Sequence, residues 1–160
     1  RTGALPIVRA NVKESGVKTD GKRLLQALVF NWLLFGTEAH AKNYSLLLDD
    51  RAARLAPLYD LNSYLALGGT PHAAMSMRIG RTEYVDAVRR SDWLELASLV
   101  GVDESWLIDE IRRQAAIIPT AVLESWAALR LSGASTAGAP ILLGVRRAGG
   151  TAAAVRHVTG

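Results

Sequence analysis

The 160-residue chain contains no cysteine. That removes disulfides, zinc-thiolate sites and cysteine nucleophiles, and it fits a reducing cytoplasmic compartment. No apolar run reaches the roughly 18 residues that a membrane-spanning helix needs, so no membrane partner is expected. The opening Arg1-Thr2-Gly3-Ala4-Leu5-Pro6 lacks the long apolar segment of a secretory signal. It also lacks an initiator Met, as expected of a fragment or a trimmed start. No Gly-x-Ser-x-Gly occurs, which excludes a hydrolase nucleophile elbow. No complete Gly-x-x-x-x-Gly-Lys-Ser/Thr occurs either, which excludes a P-loop.

What remains is ordinary globular chemistry, 49% hydrophobic and 21% charged, enough for one domain with a sizeable core. The net charge of +4 invites a nucleic-acid reading, but its distribution argues against one. Residues 1–131 hold sixteen Lys and Arg against all fifteen acids. The excess comes from Arg146, Arg147 and Arg156 near the end. A DNA-binding face would instead gather basic residues along one helix or stripe, so no direct nucleic-acid contact is expected.

The periodicities predict a mostly α chain. Residues 1–19 read as an irregular lead-in. Asp20 can cap a helix from about Gly21 to Phe35, whose Leu24, Leu25, Leu28, Val29, Trp32 and Leu33 share one face. Gly36 stops it. Tyr44–Leu48 and Arg54–Ala56 read as a hairpin turning at Asp49–Ala52, and Pro57 closes the return strand. Residues 66–82 are loop-rich, with one extended piece at Ala74–Ile79. Ser91 is expected to cap a helix ending near Gly101, and Asp103 a second. Pro119 should kink that second helix or restart it. Residues 132–160 carry no acid and are dominated by Gly and Ala, so they read as a disordered tail.

The polar loop at the end of the first helix packs Glu38, His40, Lys42 and Asn43 into six positions. After it comes the hairpin, then Leu55-Ala56-Pro57-Leu58-Tyr59-Asp60-Leu61. The order is helix, acid, Asn five positions later, hairpin, Asp. A protein-kinase site has the same order: a base carboxylate, an Asn for magnesium, and a second magnesium carboxylate beyond a hairpin. The hairpin would return Asp60 to the neighbourhood of Asn43. Taken singly, Asn43 could be a turn residue, Asp60 a helix cap and Glu38 a solvated acid.

Gly36-Thr37-Glu38-Ala39-His40-Ala41-Lys42-Asn43-Tyr44-Ser45, followed by Leu55–Leu61, resembles the C-terminal catalytic lobe of the HipA-like serine/threonine kinases, toxins of bacterial toxin–antitoxin systems. The resemblance extends over residues 20–131, through Met75–Gly80, Ser91–Ala97 and Ala116–Pro119. It implies a helical kinase-like lobe with a small β-hairpin carrying the metal site. It implies ATP and Mg2+, with Asn43 and Asp60 as metal ligands and Glu38 as the proton-accepting or orienting acid. His40 would lie against the nucleotide, Lys42 would reach a phosphate, and Tyr59 would support Asp60. The partners implied are a HipB-like DNA-binding antitoxin and a protein serine, with glutamyl-tRNA synthetase the best-known target of the family.

Two features depart from the family pattern. Position 38 is Glu where the family carries Asp, and one methylene displaces the carboxylate by ~1.5 Å at full extension. Residues 1–20 are also too short for the lobe that grips adenine and the phosphates, so a separately encoded N-lobe is one possible source. These departures leave a second reading open, a non-catalytic remnant that acts at most as an antitoxin-binding module.

Overall fold

The computed structural model describes residues 17–48, 53–67, 72–131 and 150–159. Among these residues, four helices and two small antiparallel sheets make a mostly helical fold: α1 (Val17–Leu33), β1 (Leu46–Leu48), β2 (Ala53–Leu55), β3 (Ala74–Ile79), β4 (Thr82–Tyr84), α2 (Arg90–Val100), α3 (Glu104–Leu131) and α4 (Gly150–Thr159). The lead-in up to residue 16, the hairpin turn at 49–52 and the loop at 68–71 lie outside the described residues, as does the tail from 132 to 149.

Helix α1 is the central rod. All six residues of its expected apolar face are buried, together with Ala27. Trp32 meets Trp93 of α2 edge to face, with ring centroids 5.5 Å apart, the geometry aromatic quadrupoles favour. The Trp32 indole N–H donates to Val85 O at 3.0 Å. Gly21 lies so close to α2 that a Cβ there would sit 2.5 Å from Val100 Cγ1. The first turn of α1 is thereby pressed against the end of α2.

The helix begins at Val17, one turn earlier than Gly21, so Asp20 is inside the first turn and not its cap. It ends differently too. The left-handed residue is Phe35, at φ 56°, and Gly36 N–H donates to Asn31 O at 2.6 Å. This closes the helix in the Schellman manner one residue before the glycine. Gly36 is needed for a different reason: a Cβ there would lie 2.6 Å from Asn31 Oδ1.

Among the described residues, the chain forms two hairpins where the sequence pattern predicts one. β1 and β2 pair with Leu46 opposite Leu55, and Ala74–Ile79 pairs with Thr82–Tyr84. The cap of α2 is not Ser91. Arg89 occupies the N-cap position, and Asp92 reaches back to accept the Arg89 N–H at 2.9 Å. Its other oxygen accepts from Arg81 N–H at 3.1 Å, which ties the second hairpin to the helix. Asp103 caps α3 as expected, accepting from Trp106 N–H at 2.9 Å. The Ser105 hydroxyl first, and that bond second, hold its carboxyl below the usual carboxylate range. α3 continues through Pro119 as one 28-residue helix, so the proline neither ends nor restarts it.

Glu110 is buried between α1 and α3 and binds Gln26, Arg113 and Gln114. The expected disordered tail contains α4, whose Val158 is fully buried in the core. Arg90 donates to Val158 O at 3.2 Å, and Arg112 to Thr159 O at 2.7 Å, so arginines close the helix C-terminus where its carbonyls lack partners. Ala-rich composition had hidden a helix that gains its stability from tertiary contact.

Truncation after Gly149 is expected to lower the thermal midpoint by several degrees through the loss of Val158. A midpoint unchanged on calorimetry would show that α4 contributes nothing to the core. The Arg113 guanidinium, first among its partners, holds the Glu110 carboxyl below the ordinary glutamate value. Its stabilising contribution is therefore complete above the ordinary glutamate value and is lost as pH falls through the depressed folded one. Glu110→Gln should be less stable than the parent at neutral pH in urea unfolding, and the gap should close on acidification.

Candidate active site

The site is built on the loop that leaves α1 and on the segment that leaves β2. The 3-10 turn Ala41–Asn43 sits between them, at the foot of β1. Asn43 is buried. Its amide nitrogen donates to Asp60 Oδ2 at 3.1 Å and to the Glu38 carbonyl at 3.2 Å. One side chain therefore joins all three positions that sequence placed in a phosphoryl-transfer site. Asn43 and Asp60 flank the first hairpin and do not lie in its strands.

Asp60 has φ 54°, in the left-handed region that non-glycine residues seldom adopt, although Asp tolerates it better than most. Such a conformation persists where the surroundings fix the chain on both sides. Upstream, the Tyr59 hydroxyl donates to Lys42 O at 2.8 Å and lies 2.8 Å from Ser45 Oγ. Downstream, Ser63 Oγ donates to Leu34 O at 2.6 Å. Tyr59 thus serves as a strap between the two halves of the site.

Glu38 points its carboxylate outward, with 67% of the side chain exposed, and Oε2 lies 2.9 Å from His40 Nε2. His40 therefore meets the acid of its own loop. Lys42 is exposed, and its backbone carbonyl carries the Tyr59 bond. The loop itself is held to the core by Asn31, whose amide donates to the Tyr44 hydroxyl at 3.0 Å. Burial pushes the Tyr44 phenol pKa up, partly offset by that bond, and keeps it neutral. Thr37 O accepts from Ser76 N–H at 2.8 Å, so the second hairpin also braces the loop.

The donor set suits a hard cation. An amide oxygen and a carboxylate are magnesium ligands, and magnesium usually takes one or two groups from protein and the rest from phosphate and water. Among the described residues no cluster of three or more His, Cys, Asp or Glu side chains forms another candidate. Asn31, Ser45 and Ser63 were missed in the sequence, because nothing in their local pattern reveals partners so far along the chain. His72 pairs with Asp86 at 3.2 Å and stacks on Tyr84.

The family model for the HipA-like C-terminal domain matches residues 4–122. The chain belongs to that family. It is 38% identical over 84 residues to the "Putative kinase Y4mE" of Sinorhizobium fredii, a match spanning 52% of this chain and 20% of that protein. A solved complex of HipA, HipB and operator DNA from Shewanella oneidensis contains a chain that superposes with a TM-score of 0.63 at 23% identity. That superposition covers 84% of this chain and 32% of the other, and it shows a shared fold. The HipA-like chain thus spans between a fifth and a third of the length of these relatives.

The Tyr59 strap gives a direct test. Tyr59→Phe removes one exposed hydroxyl and is expected to cost about 1 kcal/mol. It should also speed hydrogen exchange at Asn43 and Tyr44. Unchanged exchange there would mean that the strap does not hold the loop.

Proposed function

We propose that this chain is the C-terminal catalytic lobe of a HipA-like toxin kinase that transfers the γ-phosphate of ATP to a protein serine or threonine. The observation that carries the reading is the 3.1 Å contact between Asn43 and Asp60 across the hairpin, with the Glu38 carbonyl on the same amide. Phosphoryl transfer asks a protein mainly for positioning and charge neutralisation. Asn43, through its amide oxygen, and Asp60 would hold magnesium. Magnesium, when bound, neutralises charge on the phosphates.

The remaining steps belong to the chain's own side chains. Glu38 accepts or orients the proton of the attacking hydroxyl. His40 holds the Glu38 carboxylate on one side, and this limits the freedom gained with the extra methylene. Lys42 offers a point charge to a phosphate. Adenine and the outer phosphates require an N-terminal lobe, from the rest of a longer polypeptide or from a separate frame. The structural neighbour assembles with HipB, and a HipB-like DNA-binding antitoxin is the partner proposed here. Such an antitoxin would carry the DNA contact, leaving this lobe without one. No described helix is long and apolar enough to cross a membrane.

Glu38→Asp, tested with an N-terminal lobe present, is expected to raise phosphorylation of a protein serine by about tenfold or more, ~1.4 kcal/mol of transition-state stabilisation. Asn43→Ala and Asp60→Ala should each abolish transfer while circular dichroism reports an intact fold. Transfer of labelled phosphate is the readout. A parent that is already robust and not improved by the aspartate would make Glu38 a competent acid. Parent and aspartate variant both inactive, with fold and lobe intact, would contradict the kinase reading.

A further inference from the structure

The outer edge of β2 is closed by side chains of α1. Ala56 N–H donates across the hairpin to Ser45 O at 2.9 Å. The alternation of an antiparallel ladder then turns the N–H and C=O of Leu55 away from β1. On a two-stranded sheet those groups would form an open edge. Here they meet α1. The Asp20 carboxylate accepts the Leu55 N–H at 2.8 Å, and Arg23 Nη1 donates to Leu55 O at 2.9 Å. Arg23 Nη2 makes a longer contact with Ala56 O, at 3.5 Å. The two side chains also bind each other, at 3.2 Å.

Asp20 and Arg23 therefore act together as a short surrogate strand that reads both polar groups of one peptide position. The platform beneath them is rigid, because Gly21 packs against Val100 with no room for a Cβ. Asp20 is buried, 8% exposed, so its charge is committed to this contact. From Leu55 the chain reaches Asp60 in five residues. One of those is Pro57, with its fixed φ. Asp60 then adopts its left-handed conformation beside Asn43. A segment this short transmits a displacement at Leu55 to the Asp60 carboxylate.

We propose that Asp20 and Arg23 are positioning residues for the metal-binding carboxylate Asp60, acting through the backbone of Leu55. The inference rests on the reading of Asn43 and Asp60 as metal ligands. Neither residue touches the site, and neither was distinguishable in sequence from a helix-capping acid followed by a solvated arginine.

The test uses the full chain and Mn2+ alone, a hard paramagnetic cation that takes carboxylate and carbonyl oxygens. Binding is read as line broadening of the Asn43 and Asp60 amide signals during titration. Arg23→Met keeps most of the aliphatic stem and removes the donors. Asp20→Asn keeps the shape and removes the charge. Each is expected to weaken Mn2+ binding by about tenfold, the usual scale for a supporting partner behind a metal ligand. Arg23→Lys, which retains one donor for Leu55 O, should recover most of that loss. Arg23 is partly exposed, so Arg23→Met serves as the test even if Asp20→Asn fails to fold.

A role confined to folding would lower the thermal midpoint in Arg23→Met and leave the Mn2+ affinity at the parent's value. That result overturns this inference while leaving the metal reading intact. Failure of Mn2+ to broaden Asn43 and Asp60 in the parent overturns the metal reading and this inference with it.

Discussion

A buried helix cannot slide, and both halves of the candidate site are tied to α1. Its core face packs on α2 and α3 through Leu25, Val29, Trp32 and Trp93. Its C-terminal end launches the loop from Glu38 to Asn43. Its N-terminal end, through Asp20 and Arg23, grips the strand that leads to Asp60. The helix thus serves as a ruler between two segments distant in sequence. Burying its large side chains contributes on the order of 2 kcal/mol each, far more than the single hydrogen bond between Asn43 and Asp60. The core holds the geometry, and the polar contact reports it.

The site carries its strain and its exposure in different places. Asp60 is held in a left-handed conformation between fixed neighbours. Glu38 stays exposed, with its carboxylate outward and paired to a histidine of its own loop. A metal ligand gains from being fixed, because magnesium tolerates little deviation from octahedral angles. An acid that must meet an incoming hydroxyl needs access from solvent.

Much of this was legible in the chain, for physical reasons that differ by element. The face of α1 was readable because six large apolar residues repeat at helical spacing, and all six are buried. The meeting of Asn43 with Asp60 followed from two short extended runs and a turn. The helix boundaries were less legible. Phe35 takes the left-handed position in place of Gly36, and Asp92, not Ser91, carries the capping carboxylate at α2. Both choices depend on tertiary neighbours that no local window contains. Glu110 meets Gln26 on another helix, a partner that its own sequence neighbourhood does not show. α4 was missed because its stability comes from Arg90, Arg112 and the burial of Val158 in the core.

The central claim is that Asn43 and Asp60 form one metal site for phosphoryl transfer. The most direct measurement is an anomalous difference map from crystals containing Mn2+ and a non-hydrolysable ATP analogue, with the N-terminal lobe present. The account predicts a peak at coordination distance from both Asn43 Oδ1 and the Asp60 carboxylate, bridging to the phosphates. Nucleotide bound with its metal elsewhere, and with the Asn43–Asp60 hydrogen bond still closed, would contradict it.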